Sequence, residues 1–286
     1  MILAYMRTSI IATFAVWLLI IPLCTNGRQK LNKKTITTEK GKTMTTGTKM
    51  KVEIWSDIMC PFCYIGKRHF EEAMGKFADS GYVEIVWKSF QLDPSIPDHI
   101  EPRTDVYTYL ATRKGLSVDE SKRMHERVVQ MASAAGLQYN FDKAVVANSW
   151  RAHRLIQMAK TKGLGDAAEE RLFRAYFTEG QDMGDTVTLT ALGKEIGLTE
   201  TDVKEALTND VYTHKIEQDI KEAEAIGVNG VPFFVFDRKY AVSGAQPADA
   251  FVRTLERAVA EWKKANPAAA LQIEQGAVCK PGGECE

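Results

Sequence analysis

The chain has 286 residues, and its 37 Lys+Arg are balanced by 37 Asp+Glu, so the formal net charge is zero. That balance lacks the basic excess by which nucleic-acid-binding proteins hold phosphates, and it is unlike an acidic disordered chain. With 45% hydrophobic and 26% charged residues, the composition is that of a globular protein with ample chain to bury a core in one large domain or two ordinary ones.

Residues 1–49 stand apart from the rest. Ile10 to Leu23 is an apolar run preceded by Arg7, too short for a comfortable membrane span and matching the apolar core of a signal peptide. Thr25 to Thr48 is rich in Thr, Lys and Gly and reads as a flexible linker. A second reading starts translation at Met44 or Met50. It implies a cytoplasmic protein, whereas a cleaved leader implies export. Association with a membrane follows only if the N-terminal segment is retained.

Lys51 to Trp55 alternates as a strand. A turn through Ser56 and Asp57 leads to Cys60-Pro61-Phe62-Cys63 and a helix with Phe70, Ala73, Met74 and Phe77 on one stripe, ended by Ser80-Gly81. Val83, Ile85 and Trp87 form a second strand, and such short joins predict a parallel βαβ unit. Residues 93–212 read as helices broken at glycines, with Ala152, Leu155, Ile156 and Ala159 on one apolar face. A helix with Ile216, Ile220, Ala223 and Ile226 follows. Val231 to Phe236 is a buried strand, Asp237-Arg238-Lys239 a turn, and Tyr240 to Ser243 its hairpin partner. Val252, Leu255, Val259 and Trp262 mark a last helix. The expected fold is α/β: a four-stranded mixed sheet, βαβ plus α–β-hairpin–α, with a large helical insertion. The expected divisions are 50–92 and 213–266 for the two halves of the sheet domain, 93–212 for the insertion and 267–286 for a tail.

Five cysteines, Cys24, Cys60, Cys63, Cys279 and Cys285, are too few for a disulfide-built scaffold. Cys60 and Cys63 follow a strand and open a helix. Free N–H groups and the helix dipole at that end favour an anion, so a thiolate at Cys60 is stabilised. Cys63, one turn on and shielded, can close a disulfide with Cys60, so the pair can capture and release a substrate sulfur. A zinc half-site or a passive bond is the alternative use of this spacing. Asp57 reads as a turn former. His69, His99, His125 and His214 show no metal spacing, and the sequence points to no metal and no bound cofactor.

The run KVEIWSDIMCPFCYIGKRHFE, with Gly230-Val231-Pro232-Phe233-Phe234 after a helical insertion, resembles the DsbA branch of the thioredoxin superfamily. Together with Phe90-Gln91-Leu92-Asp93-Pro94 and Asn148-Ser149-Trp150-Arg151-Ala152-His153, it is most similar to the FrnE-like subgroup. The resemblance covers residues 50–265 and implies a thioredoxin-like fold and thiol–disulfide exchange with protein thiols and disulfides. Cys60 is then the nucleophile, Cys63 the resolving cysteine and Pro232 a cis-proline facing them. Pro61, Phe62, Val231, Asn148 and His153 become candidate substrate contacts. Cys279 and Cys285 match a second, C-terminal redox pair of that subgroup, with a four-cysteine zinc site or a passive terminal disulfide as the other readings. Glutathione is a further candidate partner, and no nucleic acid is expected. DsbA proper carries a histidine between its cysteines. Phe62 cannot donate a hydrogen bond, so the disulfide is expected to lie between the thioredoxin and DsbA potentials of ~−270 and ~−120 mV. Two other functions compete: a glutathione-dependent isomerase or transferase of the 2-hydroxychromene-2-carboxylate isomerase or kappa type, which the intact cysteine pair disfavours, and a non-enzymatic peptide-binding chaperone.

Overall fold

The computed structural model describes residues 48–98, 100, 101 and 103–267. The leader-like segment, Cys24, Met44, His99 and the Cys279/Cys285 pair lie outside the described residues. β1 (Met50–Ser56) is followed by α1 (Pro61–Lys76) and β2 (Val83–Ser89). β1 and β2 pair in parallel from Met50↔Val83 to Ser56↔Ser89, as the short βαβ joins predict. β3 (Phe233–Phe236) then pairs antiparallel to β1, and β4 (Tyr240–Ser243) antiparallel to β3, giving the order β2-β1-β3-β4. The β3–β4 connection turns at Asp237 and Arg238, both with positive φ (49° and 56°), the two-residue geometry whose twist suits a tight hairpin.

Between the sheet halves lie α2 (Val106–Lys114), α3 (Val118–Ala134), α4 (Trp150–Thr161), α5 (Gly165–Arg174), a π-helical turn Ala175–Glu179, α6 (Thr186–Glu195) and α7 (Glu200–Thr208). α8 (Asp210–Ala225) returns to the sheet, and α9 (Ala248–Ala265) closes the fold. Local chemistry fixes many helix starts. Asp105 accepts the N–H groups of Tyr107 and Thr108 at the head of α2, and Ser117 with Glu120 forms a capping box on α3.

The sequence reading differs from the structure in four places. Residues 93–212 are not wholly helical, because 90–98, 103–105 and 135–149 are irregular, joined by an isolated β-bridge between Asp105 and Val145 and by hydrogen bonds of Asn148 and Val146. α8 begins at Asp210, so a division at 212/213 would cut it. α1 ends at Lys76, and Ser80–Tyr82 is a separate 3₁₀ turn. Ile85 shares the alternation of Val83 and Trp87, but it is 37% exposed whereas they are buried.

Two apolar layers sandwich the sheet. α1 and α9 cover one face, where Phe70, Phe234, Phe236 and Phe251 pack ring to ring with centroids 4.6–6.3 Å apart. α8 covers the other, and the Trp55 indole donates to the Asp219 carbonyl at 2.8 Å. The opposite side of α1 belongs to the helical core, where Tyr64 stacks on Phe173 at 5.0 Å. Among the described residues, no helix is long and apolar enough to cross a membrane.

Candidate active site

Cys60 is the N-cap of α1 and Pro61 its first residue. The cap position leaves the first-turn N–H groups without intrahelical partners, and proline loses nothing there because its missing N–H would have been one of them. The Cys60 N–H closes the turn before the helix on the Asp57 carbonyl at 2.9 Å, and within the first helical turn the Cys63 N–H finds a partner in the Cys60 carbonyl at 3.0 Å. From the insertion, the Tyr139 hydroxyl donates to the Pro61 carbonyl at 2.7 Å.

Across the sheet, the Val231–Pro232 peptide bond is cis. The Cys60 thiol donates to the Val231 carbonyl oxygen at 3.4 Å, so the proline loop and the cysteine turn meet. Gly66 makes this approach sterically feasible. A Cβ at that position would stand 2.9 Å from Pro232 Cγ and 3.4 Å from Phe234 Cζ.

Both cysteines are free thiols. Burial pushes the Cys63 thiol well up, and the neighbouring Cys60 adds to this, while the Asp57 backbone and Ser56 hydroxyl facing it work the other way. A nucleophile at a helix start suggests an exposed sulfur, but Cys60 is only 3% exposed. It forms part of the wall of a cavity of about 620 Å³, and Cys63 does not. The wall joins the cysteine turn (Asp57, Met59, Pro61, Phe62) to Val231 and to Leu110, Met124 and Val128 of α2 and α3. Tyr176 and Phe177 of the π-helical turn complete it, with Asp93, Arg113 and Lys114 as charged members. Arg113 pairs with Asp93 at 3.0 Å. Phe62, 38% exposed, stands among the wall residues without a donor group. Access to Cys60 is therefore through a mostly apolar chamber rather than from an open surface.

Of the residues predicted to contact substrate, Pro61, Phe62 and Val231 share this cavity with Cys60, and Asn148 and His153 do not. Asn148 precedes α4 rather than lying on it, and its amide is committed to its surroundings. Its Oδ1 accepts from Gln91 Nε2 (2.9 Å) and Trp150 N–H (2.8 Å), and its Nδ2 donates to the Ile96 carbonyl (2.6 Å). It lines a separate, polar cavity of about 210 Å³. His153 is buried behind Asp57. Two other residues shape the turn. Tyr139 gave no sequence signal, because it lies 78 positions from Pro61. Asp57, read as a turn former, also lines the cavity and fixes the segment after β2. Among the described residues, no group of three or more His, Cys, Asp or Glu side chains could hold a metal ion.

Comparison with known proteins agrees with this architecture. The uncharacterized protein YwbO of Bacillus subtilis is 31% identical over 217 residues, covering 74% of this chain and 97% of that protein. A probable DsbA oxidoreductase from Streptomyces coelicolor is 34% identical with a TM-score of 0.70, covering 83% of this chain and 98% of that one. The cytosolic disulfide reductase DsbM from Pseudomonas aeruginosa, also solved with GSH, shares the fold at 17% identity and a TM-score of 0.54, over 74% of this chain and 99% of its own. The profile of the DSBA-like thioredoxin domain matches residues 51–256.

Proposed function

The chain belongs to the DSBA-like thioredoxin domain family, and from that premise we propose that it is a thiol–disulfide oxidoreductase acting on protein thiols and disulfides. Within the family we place it with the FrnE-like branch, on the run from Lys51 to Glu71. The observation that carries the reading is the position of the Cys60 sulfur. Cys60 occupies the N-cap position of α1 and lies in the cavity wall, and its sulfur sits 3.4 Å from the Val231 carbonyl beside the cis-proline.

In this mechanism the Cys60 thiolate attacks one sulfur of a substrate disulfide. A Cys60–substrate bond forms, and the other substrate sulfur leaves with the electron pair and takes up a proton. Cys63 then loses its proton and attacks Cys60 Sγ. The Cys60–Cys63 bond forms, and the second substrate sulfur departs and is protonated. Two electrons and two protons have passed to the substrate, and the reverse sequence oxidises a dithiol. Burial of Cys63 keeps it a thiol until the mixed disulfide stands beside it, which supports its assignment as the second actor. An extended substrate backbone that pairs with Val231 would displace the Cys60–Val231 contact and so bare the sulfur. The apolar wall suits a peptide, and glutathione is a smaller partner that the same chamber can admit.

Insulin reduction and refolding of scrambled protein test the proposal. Cys60→Ser should abolish both activities. Cys63→Ser should leave a covalent Cys60–substrate adduct, visible by mass spectrometry, that dithiothreitol releases. Activity that survives Cys60→Ser would point instead to an isomerase or a peptide binder.

A further inference from the structure

A charged pair lies directly behind the thiols. Asp57 is 1% exposed. Its Oδ1 accepts the Met59 N–H at 3.1 Å and its Oδ2 the Leu92 N–H at 2.7 Å. Its carbonyl holds the Cys60 N–H, and its backbone faces the Cys63 sulfur. One residue thus touches the turn that carries the nucleophile, the second thiol and the loop after β2. His153 of α4 is equally buried, with Nε2 3.5 Å from Asp57 Oδ1. Neither ring nitrogen makes a well-formed hydrogen bond, although Asp57 and the Phe90 backbone both face the ring. Packing alone does not account for this, because an apolar side chain would fill the space without stripping water from two ring nitrogens.

Three elements present groups to the imidazole: Asp57 from the turn after β1, Glu169 from α5, and the Phe90 backbone after β2. Beyond Glu169 stand Lys67, Asp166 and Lys160. On α4 itself, the Arg154 guanidinium is committed to the Ala206 and Asn209 carbonyls and the Thr213 hydroxyl. Burial alone would favour the neutral ring. The Asp57 and Glu169 carboxyls outweigh burial and hold the ring's proton above the ordinary histidine range.

We propose that His153 is a positioning residue for disulfide exchange, acting through Asp57 to hold the cysteine turn and to neutralise the carboxylate buried behind it. The inference rests on the oxidoreductase reading above. With His153 protonated, the Cys63 sulfur becomes an anion next to a neutral pair. With His153 neutral, it must do so next to an uncompensated buried carboxylate, which disfavours a second negative charge.

The test is steady-state insulin reduction, with dithiothreitol as the electron source, from pH 5.5 to 9. The proteins are the full chain, H153Q, D57N, the H153Q/D57N double variant and C60S. At pH 6 to 7, H153Q should lower kcat roughly tenfold, the change that accompanies about one unit of differential charge stabilisation, with KM within about twofold. The wild-type to H153Q ratio should fall towards one by pH 9, as the wild type loses its own imidazolium. In the D57N background, H153Q should change kcat less than about twofold at any pH, because the charge it serves is gone. A ratio constant with pH, or an H153Q profile equal to wild type, overturns the proposal and leaves His153 a packing residue. If H153Q does not fold, D57N carries the test, because the wild-type to D57N ratio must itself fall as pH rises. A wild type that fails to reduce insulin, or C60S with full activity, overturns the oxidoreductase reading and this inference with it. That outcome is distinct from failure of the His153 role alone.

Discussion

Glu169 is a carboxyl group placed where water does not reach it, with Oε2 lacking any hydrogen-bond partner. Burial pushes its pKa up to about 7, against the pull of His153 and Lys67. A group whose folded pKa exceeds its unfolded one stabilises the fold fully below the unfolded value and loses that contribution as pH rises through the folded value. For Glu169 the window runs from about 4.5 to about 7. The raised value of His153 acts in the same direction over a higher window, from the ordinary histidine range upward. The native state should therefore lose stability as pH rises from about 4.5 through about 7, and His153 extends the loss in the same direction. Glu169→Gln keeps the shape and removes one titration, so its unfolding free energy should vary less over that range, by up to about 3 kcal/mol for a shift of this size. Urea unfolding at three pH values checks this, and parallel curves for the two proteins would contradict it. None of this was legible in the sequence, where Glu169 is one acidic residue in a polar helix. The fates of Asn148 and His153 were likewise hidden, since each is decided by partners far along the chain.

At the scale of elements, α1 organises the site, because its N-terminus carries the thiols while its flank presses on the proline loop. Gly66 is the point of closest approach. Gly66→Ala would force a methyl group against Pro232 and Phe234 and should destabilise the protein by about 1–3 kcal/mol. Gly75 lies in the same helix with nothing within 4 Å of a built Cβ, so Gly75→Ala should be neutral or stabilising by up to about 1 kcal/mol. Opposite signs for the two substitutions in thermal denaturation would separate close packing from helix propensity. Elements with strong periodicity were readable: β1, α1, the apolar face of α4, the β3–β4 hairpin and α9. The failures share a cause. Segments 90–98, 103–105 and 135–149 have no hydrophobic period of their own, and side-chain anchors such as Asn148 and Asp57 hold them. Ile85 follows strand alternation faithfully, but β2 is an edge strand and the sheet leaves that position half open.

Across the whole molecule, the core around the helices inserted between the sheet halves and the core beneath the sheet share one helix. Phe70 and Ala73 of α1 belong to the core beneath the sheet, whereas Tyr64 and Ile65 belong to the core of the insertion. Neither core can be lost without exposing part of α1, so the two should unfold together. Far-ultraviolet circular dichroism and near-ultraviolet aromatic signals should give coincident transitions in guanidinium, and two separated transitions would refute the coupling. The order of the strands also bears on synthesis. Cys60 and Val231 meet across the sheet yet are separated by 171 positions. At roughly 5–20 residues per second, a ribosome that has just made Cys60 needs on the order of ten to thirty seconds to supply the loop that will shelter it. For that interval the nascent chain carries two thiols without a finished chamber around them, and stray oxidation or premature capture of neighbouring chains is checked only by the surrounding redox pool.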